Sequence, residues 1–205
     1  MDIAGNSLVI GGGGGIGRAC AILFAKAGAR VVVIADLNLQ AASETLAECQ
    51  AMIKGKAFKG KALKSMLLGN LLFARSLVTS LKFWVALTIV STVLIGVQEA
   101  ADITSLSMSE FQRFLDVNAT ALDNTVYGIR VNCVCPSWTN TPLVQKAIEG
   151  VKGLGDFINR AVPMGWIAVP DEVADAVIFL CRPRSSYVTG CGLIIDGGTT
   201  LTALR

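Results

Sequence analysis

One run of residues, Gly11-Gly12-Gly13-Gly14-Gly15-Ile16-Gly17, and one acid, Asp36, carry the chemistry that the chain announces most clearly. Glycines let a backbone come close to a pyrophosphate. A helix that begins there offers the ligand free N–H groups and a partial positive charge. An acid about twenty residues further on, at the end of the next strand, can accept hydrogen bonds from an adenosine ribose. The charge of Asp36 would repel a 2′-phosphate, which favours NAD over NADP. Five glycines in succession could also be a plain flexible loop, but the flanking strand, helix and acid weigh against that reading.

Other chemistries are excluded by what the chain lacks. There is no histidine, so His general bases, His triads and His metal sites are all ruled out. The six cysteines are Cys20, Cys49, Cys133, Cys135, Cys181 and Cys191, and only Cys133 and Cys135 lie close together. Without a CxxC pair, buried or half-buried thiols in a reducing compartment are expected, and no metal site. A net charge of +3 does not point to a nucleic-acid partner. The start, MDIAGNSLVIGG, lacks a basic region followed by an apolar run and a cleavage site, so a cytoplasmic location is expected.

The elements that must position these residues follow from periodicity. Leu8 to Ile10 is a short apolar run that ends in the glycines, and Ile16, Cys20, Leu23 and Phe24 recur at one-face helical spacing up to Gly28. Arg30 to Asp36 is β-branched and reads as a strand closed by its acid. Near the other end, Pro170-Asp171-Glu172 begins a helix that continues through Val173, Ala176, Val177 and Leu180.

The residues now carry a resemblance. Gly11-xxx-Gly15-Ile16-Gly17 resembles the TGxxxGIG turn of the short-chain dehydrogenase/reductase family, with Ile10 where Thr is usual, and Asp36-Leu37 resembles its NAD-preferring ending. Gly128 to Ser137 resembles the GIRVNxxxPG strand and loop, with Ser137 for the usual glycine. Pro163-Met164-Gly165 resembles the PxGR turn, Tyr187 to Gly190 and Leu193 to Gly198 resemble the closing strand and its glycine turn. The resemblance implies a Rossmann-like, doubly wound parallel α/β sheet over a single domain, 1–205. It implies a nicotinamide cofactor, NAD before NADP, held in part by Gly11, Gly15, Ile16, Gly17, Asp36, Leu37 and Thr141. The implied reaction is hydride transfer between that cofactor and a small alcohol or ketone.

The same resemblance shows what is missing. In the family a tyrosine is the acid/base, and a lysine four residues later lowers its pKa; unassisted, a phenol near pKa 10 is a poor base at neutral pH. A serine orients the substrate oxygen, and an asparagine supports a proton relay. Val131 stands four residues after Tyr127, and Cys191 four after Tyr187, so neither tyrosine has its lysine. Asn118, in Phe114 to Thr120, matches the relay asparagine. Ala121 to Asn124 then resembles the end of the next helix, so a strand-helix segment of roughly fifty residues is expected to be absent, judged against the length of an uninterrupted domain. Impaired or absent catalysis follows, as does doubt over the ordinary dimer, whose interface the missing helix builds. Loss of a central strand also predicts unpaired edges and poor solubility.

The middle, 51–97, differs from both flanks (1–50 and 98–205). No acid occurs between Glu48 and Glu99, while Lys54, Lys56, Lys59, Lys61, Lys64, Arg75 and Lys82 all do. Phe83 to Gln98 has no charge in sixteen residues, short of the ~20 needed to span a bilayer; membrane association is therefore open but not favoured. Reading Trp84 to Leu94 one base out of step permits G-R-I-D-Y-C-V-N-S-A, and Ser65 to Leu68 permits D-V-T, both family-like runs. On this reading the segment from about Met52 to Leu94 is translated in a neighbouring frame, and its strand is replaced.

Overall fold

The computed structural model describes residues 3, 5–53, 58–64, 86–90, 122–123 and 125–204. Asn118, most of Phe83 to Gln98 and the positions Ser65 to Leu68 lie outside them. The chain divides into two compact units, 1–85 with 170–185 and 86–169 with 186–205, and each is an α/β layer with parallel strands.

In the first unit β1 (Asn6–Ile10), β2 (Val31–Asp36) and β3 (Lys59–Lys64) form a sheet in that order. Asn6 pairs with Val31 and Ile10 with Ala35, then Val31 with Lys59 and Asp36 with Lys64. Helix α1 (Gly15–Lys26) links β1 to β2, and α2 (Leu39–Met52) precedes β3. Val32, Val33, Ile34 and Ala35 are all buried, as expected of a parallel strand covered on both faces. Three of the four stripe residues, Ile16, Cys20 and Phe24, are buried, together with Ala19, Ala21, Ile22 and Ala25, while Leu23 is half-buried. The helix stops where it was expected to. Gly28 takes φ +97, and its N–H bonds to Ala25 O while the Ala29 N–H bonds to Phe24 O. This paired closure requires a left-handed residue, which glycine adopts without a Cβ penalty.

β3 comes from the segment whose composition looked foreign. It has no β-branched residue, but Gly60, Ala62 and Leu63 are half-buried while Lys59, Lys61 and Lys64 are exposed. A Cβ at Gly60 would meet Leu46 of α2, so the small residue lets helix and strand close together.

In the second unit β4 (Ala86–Val90), β5 (Arg130–Pro136) and β6 (Gly192–Ile195) form a parallel sheet in that order. Ala86 pairs with Arg130 and Val90 with Val134, then Cys133 with Gly192 and Pro136 with Ile195. A strand therefore does form inside the apolar stretch, and β4 pairs directly with β5. β5 is paired on both sides, by β4 and by β6. Among the described residues, no helix is long and apolar enough to cross a membrane.

Helices α3 (Pro142–Gly150) and α4 (Leu154–Ala161) follow β5, and α5 (Pro170–Cys181) belongs to the first unit, where it packs along α1. Val173, Ala174, Val177, Ile178 and Leu180 form the buried stripe of α5. In the second unit Leu154, Ile158 and Val162 make a small core with Trp138, Val144, Ala147, Ile148 and Ile167 around it.

Asn132 is 1% exposed and staples β5 to the chain before β6. Its Nδ2 donates to Val188 O at 3.0 Å, and its Oδ1 accepts from the Cys191 N–H at 3.1 Å. Beyond β6, Asp196 closes a turn: Oδ1 accepts from the Gly198 N–H at 2.9 Å and Oδ2 from the Thr200 N–H at 2.7 Å. Partial burial pushes this carboxyl up, but the bonds from Thr200 and Gly198 outweigh it and leave its pKa lowered. A lowered folded value means that the contribution is complete above the unfolded pKa, about 3.9, and is lost as pH falls through the folded value. Melting temperatures measured from pH 5 downward should therefore fall less steeply below about pH 4 in Asp196→Asn than in the wild-type chain.

Candidate functional site

The glycine run is fastened at both ends. The N–H groups of Gly11 and Gly12 both donate to Ala35 O, at 2.7 and 3.2 Å, so the turn is tied to the end of β2. At the other end α1 begins with an extended residue, Gly14, and without a side-chain cap. Its first helical bond runs from the Arg18 N–H to Gly14 O, so the amides of Gly15, Ile16 and Gly17 precede the intrahelical ladder. Amides in that position suit an anion.

What a Cβ would meet shows which glycines the turn requires. At Gly17 it would run into the carbonyl of Gly11, backbone against backbone, with no flexible end to move. At Gly12 it would lie 2.6 Å from Ile34 Cγ2, and at Gly13 2.8 Å from Asp36 Oδ2 and 2.9 Å from Ala41 Cβ. At Gly11 and Gly14 it would meet nothing within 4 Å. The run is thus not a slack loop. Gly12, Gly13 and Gly17 allow close internal contact, while Gly11 and Gly14 border open space.

Asp36 ends β2 beside this turn. Its Oδ2 accepts the Gly13 N–H at 2.9 Å, and its Oδ1 accepts the Asn38 N–H at 2.9 Å. Asn38 in turn caps α2, its Oδ1 accepting the N–H groups of Gln40 and Ala41 at 3.1 and 3.3 Å. Leu37 is 54% exposed next to the acid. An ion pair between Arg18 and Glu48 joins α1 to α2. The structure therefore brings together Gly11, Gly15, Ile16, Gly17, Asp36 and Leu37, with Ile16 buried among them.

Thr141 lies in the second unit and is the cap of α3, its Oγ1 accepting the Val144 N–H at 3.4 Å, with Pro142 first in the helix. Asn118 lies outside the described residues. Tyr127 is 77% exposed and Tyr187 fully exposed. Gly13 and Asn38, which hold Asp36, were not singled out by sequence reasoning. For Asn38 the signal was available, a capping residue directly before the helical run; for Gly13 no pattern in the sequence specifies the contact.

Cys20, Cys49 and Cys133 are buried, and Cys135, Cys181 and Cys191 are half-buried. Burial, and next to it the neighbouring Cys181, push the Cys20 thiol up to about 12. The Cys133 and Cys135 sulfurs share a hydrogen bond at 3.6 Å, and that bond, followed by burial, raises the Cys135 thiol. Thiolate is the reactive form, so in the folded chain at pH 8 Cys20 should resist iodoacetamide and become labelled only in denaturant, as peptide mass spectrometry would show. Among the described residues no cluster of three or more His, Cys, Asp or Glu side chains could hold a metal.

The family model described as short chain dehydrogenase matches residues 6–65, and the one described as enoyl-(acyl carrier protein) reductase matches 117–200. The short-chain dehydrogenase fogB of Aspergillus ruber is 42% identical over 273 aligned positions that cover all of both chains. Since this chain has 205 residues, at least 68 of those 273 positions face a gap in it. Among solved structures, a 7α-hydroxysteroid dehydrogenase complexed with NADH and 7-oxo glycochenodeoxycholic acid is similar with TM-score 0.74 at 21% identity, covering 96% of this chain and 94% of its own. YwfH, an NADPH-dependent reductase involved in bacilysin biosynthesis, gives TM-score 0.76 at 18% identity, covering 96% and 98%. These two likenesses show the fold, a Rossmann-like α/β architecture with parallel strands.

Proposed function

The chain belongs to the short-chain dehydrogenase/reductase family, and from that premise we propose that it binds a nicotinamide dinucleotide, NAD before NADP, with its hydride-transfer chemistry impaired. The observation that carries the binding half is the carboxylate of Asp36, held at the end of β2 against a glycine turn whose missing Cβ atoms leave open space at Gly11 and Gly14. The residues fit the cofactor: the amides of Gly15 to Gly17 suit its pyrophosphate, and Asp36 its adenosine ribose. Leu37, exposed beside the acid, would border the same ribose; by their match to the family's pattern Thr141 belongs to the nicotinamide side and Asn118 to the proton relay. When bound, the nicotinamide ring would supply the hydride acceptor or donor, and a small alcohol or ketone the other partner.

The impaired half rests on sequence. A phenol needs an adjacent cation to act as a base near neutrality, and neither Tyr127 nor Tyr187 has a lysine four residues on. The positions of the fogB alignment that face gaps in this chain, at least 68 of 273, support the loss of an internal segment. The off-frame segment is better begun after Lys64 than at Met52, because the family match continues to residue 65 and β3 pairs along β2. Sequencing the transcript tests this directly; absence of D-V-T and V-N-S-A from the neighbouring frame would overturn it.

The function is tested by equilibrium titration with NAD and NADP, followed by NADH consumption across a panel of ketones. Tighter binding of NAD without turnover is the expected result. Turnover with any ketone would overturn the impairment, and failure of both nucleotides to bind would overturn the dinucleotide reading.

A further inference from the structure

We infer that Gly13 is a positioning residue for nucleotide choice: its N–H and its missing Cβ together set where the Asp36 carboxylate stands. The inference rests on the dinucleotide reading above. A carboxylate has about four acceptor positions. Two in Asp36 are taken by backbone donors, Gly13 on Oδ2 and Asn38 on Oδ1, each at 2.9 Å. One acceptor position per oxygen is left, which matches the two hydroxyls of a ribose diol.

The clamp has no slack on the Gly13 side. A Cβ there would stand 2.8 Å from Oδ2, 2.9 Å from Asp36 Cγ and 2.9 Å from Ala41 Cβ, distances that real Cβ contacts do not reach. The carboxylate would have to move, because Ala41 is fixed in the first turn of α2 by Asn38. Moving it has two consequences of the same sign. The ribose hydroxyls lose a charge-assisted acceptor, and the amide at position 13 is freed to donate to a phosphate in its place. Gly13 thus acts on the choice between a 2′-hydroxyl and a 2′-phosphate, through Asp36.

The test is titration of wild type and Gly13→Ala with NAD and with NADP, followed by intrinsic fluorescence, with a thermal melt of each to report folding. NAD should weaken by about tenfold and NADP by less than about twofold, so that selectivity shifts toward NADP. Equal weakening of both nucleotides would mean a structural role alone and would overturn the inference while leaving NAD binding intact. Unchanged selectivity would overturn it too, and a wild-type chain that binds neither nucleotide would overturn it together with the reading beneath it. If Gly13→Ala does not melt cooperatively, Gly13→Ala with Ala41→Gly relieves one contact and keeps the one with Asp36. Amide exchange supplies a measurement that needs no change at Gly13: its N–H should exchange faster in Asp36→Ala, and an unchanged rate would overturn the clamp.

Discussion

Asp36→Ala is expected to lower NAD affinity by about 10- to 100-fold, the loss of one to two charge-assisted hydrogen bonds to the ribose. NADP should be unaffected or bind more tightly, because the substitution also removes a negative charge facing its 2′-phosphate. The opposed responses matter more than either magnitude. A substitution that merely loosened the glycine turn would weaken both nucleotides together, since on the proposed reading the same amides hold either pyrophosphate. The turn itself should hold, because Gly11 and Gly12 are fastened to Ala35 O and not to the acid. Parallel titrations with the two nucleotides separate the outcomes.

Ile34→Ala is expected to cost about 2–5 kcal/mol of unfolding free energy, the range for truncating a fully buried aliphatic side chain. Ile34 is 0% exposed in the middle strand of its sheet, so little around it can collapse into the space. It also supports the site. Gly12 lies so close above it that a Cβ would come within 2.6 Å of Ile34 Cγ2, so this side chain is the floor of the turn. Urea denaturation should show the midpoint fall with the slope unchanged. Any remaining nucleotide affinity should drop for NAD and NADP alike, the reverse of the pattern at Asp36.

Much of the site could be read in the sequence because its physics is local. The stripe of Ile16, Cys20 and Phe24, the stop at Gly28 and the acid-rich start of α5 depend on residues a turn or less apart, and the structure reproduces them. What could not be read depends on distant partners. The hydrogen bond from Gly13 to Asp36 spans 23 positions, and nothing at either end announces it. β3 was hidden because its pattern is Lys-Gly-Lys-Ala, without β-branched residues; α2 gives its small residues a surface to cover. The apolar stretch reads as anchor, strand or misread code from its composition, and Ala86–Val90 forms a strand because β5 offers it a parallel partner. Thr141 was read for its place in a motif, while its cap on α3 was there to be read from the Thr-Pro start of the helix.

The lysines of β3 have a consequence for how the protein behaves at concentration. Among the described residues β3 is the last strand of its sheet and pairs with β2, so its outer backbone groups could template another chain. Lys59, Lys61 and Lys64 stand exposed along it, and two copies meeting edge to edge would bring like charges together. This barrier is electrostatic, so dissolved ions set its height. The screening length is about 30 Å at 0.01 M ionic strength and about 3 Å at 1 M. Sheet extension at this edge should therefore be held back in dilute buffer and advance as salt rises, the inverse of an aggregate held by ion pairs. Light scattering across a salt series would reveal it, and replacing the three lysines with glutamine would make the growth indifferent to salt.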